Sequence, residues 1–217
     1  MRRKILRVAA HLFATKGFDG TSVRKIADKA DLCVAGMFHY FPSKEDILNE
    51  IMIGFMDEGY RRLTQIYDSD QNLIEKLEEI CKFYVQQYAG HRSELTILNI
   101  ETKSLSHAHR QIIVNKKRAY VETLKMLFDD LAKRDLLKAI DPSVLAFIFF
   151  GMVHWTYSWY NPRGNIGPKG LGGIFSETFL RGILKRPEEQ SSKVFDDGMR
   201  KRDGYGTDQE TMIGGNG

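Results

Sequence analysis

The chain has 217 residues and a formal net charge of +4, long enough for one sizeable apolar core or two modest domains. Hydrophobic residues at 42%, charged residues at 28% and five prolines against 19 glycines exclude a wholly disordered or collagenous chain. Cys33 and Cys81 stand far apart with no CxxC or Cys/His spacing. With no apolar leader and no bilayer-length uncharged run, they set the expectation of a cytoplasmic protein with no membrane association, no metal and no cofactor. A basic balance permits a nucleic-acid partner without establishing one.

The charge is local. Residues 1–50 carry nine Lys and Arg against six Asp and Glu, residues 51–184 carry 17 against 15, and residues 185–217 carry six against seven. In the basic quarter, Ile5, Leu6, Val8, Ala9, Leu12 and Phe13 recur at helical spacing from Arg2 to Lys16, and Gly17 ends the helix. A second, two-turn helix is predicted from Val23 to Ala30, capped by Thr21 or Ser22, with Val23, Ile26, Ala27 and Ala30 inward. A third runs from Val34 to Phe41, where Pro42 forces the chain out of helix. Helices this short are unstable alone and must close a small three-helix core. Ser43-Lys44-Glu45-Asp46 then supplies an N-cap and first-turn acids for a fourth helix, which joins this unit to the rest.

In the body, helical stripes are predicted over Leu73 to Ala89, Ser93 to Ser104 and His107 to Lys133. Asp141-Pro142 opens a further helix with the stripe Val144, Phe147, Ile148, Gly151, Met152, Trp155 and Trp159, stopped by Asn161-Pro162-Arg163-Gly164. A last helix covers Leu171 to Leu184. No stretch alternates as a strand does. The expectation is an all-α chain: a helix-turn-helix unit at 1–50, a larger helical domain at 51–184 and a polar extension at 185–217. Phe147, Phe149, Phe150, Trp155, Trp159, Phe175 and Phe179 exceed what intramolecular packing needs, which points to a second subunit.

The stretches Ala9-Ala10-His11-Leu12-Phe13, Lys16-Gly17-Phe18, Thr21-Ser22-Val23-Arg24-Lys25-Ile26-Ala27 and Phe38-His39-Tyr40-Phe41-Pro42-Ser43-Lys44-Glu45-Asp46-Ile47-Leu48 resemble the DNA-binding domain of the TetR family of transcriptional regulators. The resemblance implies a homodimer on double-stranded operator DNA, in most members a repressor released by a small ligand. It makes the Val34 to Phe41 segment the recognition helix, with Tyr40 and Lys44 on phosphate. Thr21 and Ser22 hydroxyls and the helix end suit the same backbone, while Arg24 reaches a phosphate or a guanine edge and Lys25 and His39 join the surface. Cys33, expected as a small buried side chain, stands where the family pattern usually has Ser or Thr, Val34 where Lys is frequent and Ala35 where Gly is frequent. Val34 and Ala35 suit thymine methyls and make no bidentate base contact.

His154-Trp155-Thr156-Tyr157-Ser158-Trp159-Tyr160-Asn161-Pro162 resembles the corresponding helix of family members that govern fatty-acid and steroid catabolism and respond to acyl-coenzyme A. The implied effector is a small apolar ligand such as an acyl-CoA. Met152, Trp155, Trp159 and Tyr160 are then candidates for lining a cavity, and Arg110, Lys116, Lys117 and Arg118 for its phosphates. A constitutive DNA-binding regulator without a ligand is one alternative. An enzyme with an apolar pocket is another, but the chain has no nucleophile and base pair, HExxH or phosphate-cradling glycine loop. His107 and His109, two apart, do not share a helix face and are expected to be ordinary surface residues.

Overall fold

The computed structural model describes residues 1–186. Its helices are α1 (Arg2–Lys16), α2 (Val23–Lys29), α3 (Val34–Tyr40), α4 (Lys44–Tyr67), α5 (Leu73–Gly90), α6 (Arg92–Ile100), α7 (His107–Lys133), α8 (Pro142–His154), α9 (Thr156–Trp159) and α10 (Pro168–Ile183), with a 3-10 turn at Glu101–Ser104. Local chemistry sets their starts. Ser22, Ser43 and Ser106 accept a hydrogen bond from the first-turn amides of Lys25, Asp46 and His109. Asn72 and Glu75 form a reciprocal capping box on α5. Asp141 caps α8 ahead of Pro142, which needs no amide partner at that position.

The N-terminal unit packs α1, α2 and α3 through Ile5, Ala9, Phe13, Ile26, Ala27, Met37 and Phe41, all buried. Gly17 takes φ 76° after α1, where its amide bonds back to Phe13 O at 3.0 Å. The α2–α3 turn places Asp31 at φ 57°, a conformation Asp tolerates better than most side chains. Lys4 Nζ holds the Asp31 carboxylate at 2.5 Å and lowers its pKa.

The body stacks α5 on α10 and α7 on α8. Its centre is aromatic, with Tyr84 ringed by Tyr88, Tyr120, Phe149 and Phe150 at centroid distances between 5.5 and 6.0 Å. The chain leaving α7 meets the chain leaving α10, where Lys138 N donates to Ile183 O and Lys185 N to Leu136 O, both at 2.9 Å. This Leu137–Leu184 bridge is the one β pairing among the described residues. The expected boundary after residue 50 lies inside α4, so one continuous helix belongs to both units.

Several expectations are corrected. The predicted helix over Ser93 to Ser104 tightens to a 3-10 turn after Ile100. The helix opened at Pro142 stops at His154, and α9 follows as a separate turn. Because α8 is apolar all round, periodicity selected the wrong stripe: Leu145, Ala146, Phe149, Phe150 and Val153 are buried, while Val144, Phe147, Ile148 and Trp155 face outward. Phe149, Phe150 and Phe179 therefore belong to the core and are unavailable to a second subunit. Of the extension expected at 185–217, the part from residue 187 lies outside the described residues.

Candidate DNA interface and effector cavity

Met37 anchors α3 in the core, so the opposite face presents Cys33, Val34, Ala35, Phe38 and His39 to solvent. Cys33 is exposed, contrary to expectation, and serves as the N-cap of α3, its Sγ accepting from Gly36 N at 3.4 Å. Val34 and Ala35 stand on the outer face as expected. Phe38, 49% exposed, joins them, a residue not among those expected from the sequence. Its signal was available: Ala35, Phe38 and His39 share the face opposite Met37. An exposed phenyl ring beside Val34 makes this surface suited to methyl and ring contacts rather than bidentate hydrogen bonds.

Arg2 fixes the far end of α3. Its guanidinium donates to Tyr40 O at 2.9 Å, pairs with Glu50 and lies 4.3 Å over the Phe41 ring. Tyr40 is half-buried with its ring edge-on to His39, and its hydroxyl makes no hydrogen bond among the described residues. Lys44 is already engaged: Nζ donates to Phe18 O at 2.8 Å and sits 4.1 Å over the Phe18 ring, which ties the start of α4 to the α1–α2 loop.

Thr21 is corrected outright. It is fully buried, and its hydroxyl donates to Gly17 O at 2.9 Å, closing the turn instead of meeting a phosphate. Ser22 and Arg24 are exposed beside it. Lys25 on the first turn of α2 approaches Lys16 at the end of α1 closely enough to lower the Lys16 pKa. Lys16 is exposed at the end of α1.

Two acidic side chains lock this unit to the body. Glu101 Oε1 accepts from Phe18 N at 3.1 Å, and its Oε2 from Ser104 Oγ at 2.9 Å. Glu45 Oε1, on the first turn of α4, accepts from Ser106 N at 2.8 Å and pairs with His109 Nδ1 at 2.7 Å. Those bonds from Ser106 and His109 hold the Glu45 carboxyl down at about 2. His109 is thus a contact between α7 and α4 rather than an ordinary surface residue.

The body contains a cavity of about 370 Å³ lined by residues of α4, α5, α6, α7 and α8. Phe55 and Met56 come from α4, and Tyr120, Phe150 and Phe147 supply the aromatic walls. Its polar groups are few. Tyr120 Oη donates to Met56 O, Tyr88 Oη lies 3.0 Å from His154 Nε2, and Lys117 is half-buried. Burial, with Lys117 adding to it, pushes the His154 imidazole down to about 4, so it is neutral. Burial likewise lowers the Lys117 pKa.

Of the expected ligand residues, only Lys117 lines this cavity. Tyr160 is buried elsewhere and donates to Ile166 O at 3.0 Å. Trp155 and Trp159 are exposed, Trp159 stacking on Phe175 at 6.2 Å, and Met152 packs against the core outside the lining. Arg110 donates to Lys103 O and Leu105 O, closing the end of the 3-10 turn, and Lys116 pairs with Asp57. The lining instead includes Phe55, Tyr88, Tyr120 and His154, which the sequence reading did not assign, because inward residues of five helices carry no shared local motif. No helix of the described residues is long and apolar enough to cross a membrane, and no metal-holding cluster occurs among them.

Residues 5–51 match the bacterial regulatory proteins of the tetR family, and residues 70–183 the tetracyclin repressor-like C-terminal domain. The HTH-type transcriptional repressor KstR2 of Mycobacterium tuberculosis is 27% identical over 190 residues, spanning 85% of this chain and 93% of its own. Its solved structure superimposes with a TM-score of 0.80 over 85% of this chain and 95% of its own at 24% identity. AibR, solved in complex with isovaleryl coenzyme A and operator DNA, has a TM-score of 0.74 and 30% identity over 82% of this chain and 96% of its own.

Proposed function

The chain belongs to the TetR family of transcriptional regulators, and from that premise we propose that it is a homodimeric repressor released from a pseudopalindromic operator by an acyl-CoA or similar apolar effector. The observation that carries this reading is the position of the cavity against α4. Phe55 and Met56 form part of its lining, and the same helix begins with Lys44 and Glu45, which hold the α1–α2 loop and the start of α7. A ligand seated against Phe55 and Met56 displaces a helix whose first turn follows the recognition helix directly.

The DNA side uses two kinds of contact. Ser22, Arg24, Lys25, Lys16 and the Tyr40 hydroxyl hold phosphates and set orientation, while Val34, Ala35, Phe38 and His39 face the bases. Two copies related by a two-fold axis place two α3 helices in successive major grooves. The outward stripe of α8, together with exposed Trp159 and Ile174, supplies the apolar area for pairing. The effector switches the protein only by preferring the conformation that cannot span the operator.

The apolar lining and the AibR complex with isovaleryl coenzyme A support an acyl thioester as the class of effector. The test is footprinting on DNA upstream of the protein's own gene, followed by titration with acyl-CoA thioesters of increasing length and ring content. Protection of a two-fold site that one thioester abolishes is the expected result. A footprint indifferent to every thioester overturns the effector, and an unprotected region overturns autoregulation.

A further inference from the structure

The cavity is not uniformly apolar, and its polar groups share one property. Lys117 is half-buried on its wall, and no carboxylate or carbonyl among the described residues pairs with its ammonium. It brings hydrogens to donate and no acceptor. His154 and Tyr88 form a dyad at 3.0 Å, with no other partner for either polar tip among the described residues.

A neutral imidazole carries one N–H and one acceptor nitrogen. If Nε2 bears the hydrogen, it donates to Tyr88 Oη and leaves the phenol O–H free. If Nδ1 bears it, the phenol donates to Nε2 and the Nδ1–H is left free. In either tautomer the dyad retains one hydrogen to donate beside one free acceptor, and the neutral state of His154 forbids neither arrangement. Tyr120 adds no free hydrogen, because its hydroxyl hydrogen already goes to Met56 O. The Lys117 ammonium, which donates and does not accept, therefore tips an otherwise apolar wall towards donors, and an unpaired buried donor is costly.

We infer that Lys117, His154 and Tyr88 form an oxygen-reading subsite, so that the portion of the effector inside the cavity carries an acceptor oxygen and is not a plain hydrocarbon chain. This rests on the reading that the cavity holds the effector, and it narrows the effector's chemistry. A bare alkyl chain leaves the ammonium and the dyad hydrogen without partners. A carboxylate or an acyl carbonyl offers these donors an acceptor, the carboxylate with charge assistance. On this inference Lys117 serves the acyl end of the ligand in place of the phosphate role expected from the sequence.

The two oxygen sources separate experimentally. Calorimetry on the full-length protein with octanoate, octanoyl-CoA and the thioether S-octyl-CoA compares a free carboxylate, a thioester carbonyl and the same chain with no carbonyl. Octanoate or octanoyl-CoA is expected to bind at least about tenfold more tightly than S-octyl-CoA, and whichever of the two binds more tightly names the source. Lys117→Met keeps the stem and removes the charge. It is expected to erase that difference by weakening the oxygen-bearing ligand while leaving S-octyl-CoA unchanged, and Tyr88→Phe to reduce it in part. Equal binding of octanoyl-CoA, octanoate and S-octyl-CoA, unaffected by Lys117→Met, overturns the subsite and leaves the acyl effector standing. No binding by any of the three overturns both, and the unchanged S-octyl-CoA affinity of a variant is the control that it has folded.

Discussion

The backbone amide of Phe18, in the loop between α1 and α2, donates at 3.1 Å to the carboxylate of Glu101, a nearly buried residue of the body 83 positions away. Lys44 takes the carbonyl of the same Phe18, so both polar groups of one loop residue are held from elsewhere, one by the body and one by the start of α4. The loop cannot follow α4 without straining the Glu101 bond. Glu101→Ala is expected to lower stability by about 1–3 kcal/mol in equilibrium denaturation, since it leaves the Phe18 amide and the Ser104 hydroxyl without their acceptor. Glu101→Gln keeps an acceptor oxygen and should lose less. An unchanged denaturation midpoint in the alanine variant would show that the tether contributes nothing.

Glu45 makes stability depend on pH in a definite window. Its carboxyl is held at about 2, below the ordinary carboxylate value near 4.5, by the side chain and amide of Ser106 and by His109. A depressed folded-state pKa contributes stability that is fully present above the unfolded value and is lost as pH falls through the folded one. The contribution of Glu45 is therefore intact above about pH 4.5 and lost between there and about pH 2. Denaturation of Glu45→Gln across that interval should give a shallower pH slope than the parent protein. Identical slopes in the two proteins refute the assignment.

Two glycines of α4 should respond to alanine in opposite directions. Among the described residues, nothing outside the backbone of α4 itself lies within 4 Å of a Cβ built on Gly54, so Gly54→Ala gains helix propensity and is expected to stabilise by about 0.5–1 kcal/mol. At Gly59 the same atom meets Tyr120 Oη at 2.5 Å and Gln87 Oε1 at 3.0 Å. The Tyr120 hydroxyl is fixed by its bond to Met56 O, so it has little room to retreat. Overpacking of this kind costs about 1–3 kcal/mol and outweighs the propensity gain, which makes Gly59→Ala destabilising. Thermal melts of the two variants decide the point, and a stabilised Gly59→Ala is the contrary result.

On the DNA side, Lys16→Ala and Lys25→Ala are each expected to weaken binding to specific and non-specific DNA alike and to reduce the salt slope by about one. Phe38→Ala should instead weaken operator binding while leaving non-specific affinity and salt slope in place, because a ring against base edges neutralises no phosphate. Fluorescence anisotropy over a salt series separates the two behaviours. A Phe38→Ala variant with unaltered operator preference removes the ring from the reading surface.

The N-terminal unit was legible in the sequence because its signals are local. Gly17, Ser22, Pro42 and Ser43 punctuate helices within a few residues of where they end or begin. The direction of a single side chain was less legible. Thr21 and Ser22 are adjacent hydroxyls, yet one points into the core and the other caps α2, a distinction made by the Gly17 turn. On α8 the sequence offers apolar residues on every side, so periodicity cannot tell the core face from the outward one. The cavity was least legible of all. Phe55, Tyr88, Lys117 and His154 come from four helices, and only their packing brings them together.

The outward face of α8 carries the last prediction. Phe147 is 65% exposed, Val144 and Ile148 are each 49% exposed, and Trp155 is 61% exposed, an apolar stripe that water penalises in an isolated protomer. Pairing with a second copy removes that area from water, whereas a charge placed in its middle must be desolvated without a partner. Phe147→Glu is therefore expected to shift the proposed dimer to monomer in sedimentation velocity while the circular dichroism of the helices persists. Loss of the dimer should carry loss of operator affinity far beyond that of a phosphate contact, because one recognition helix then binds without its tethered twin. A Phe147→Glu protein that sediments as a dimer places the pairing surface elsewhere. Phe147 also borders the cavity, so effector binding to the monomeric variant provides a second reading: retained affinity shows that one protomer forms the ligand site alone.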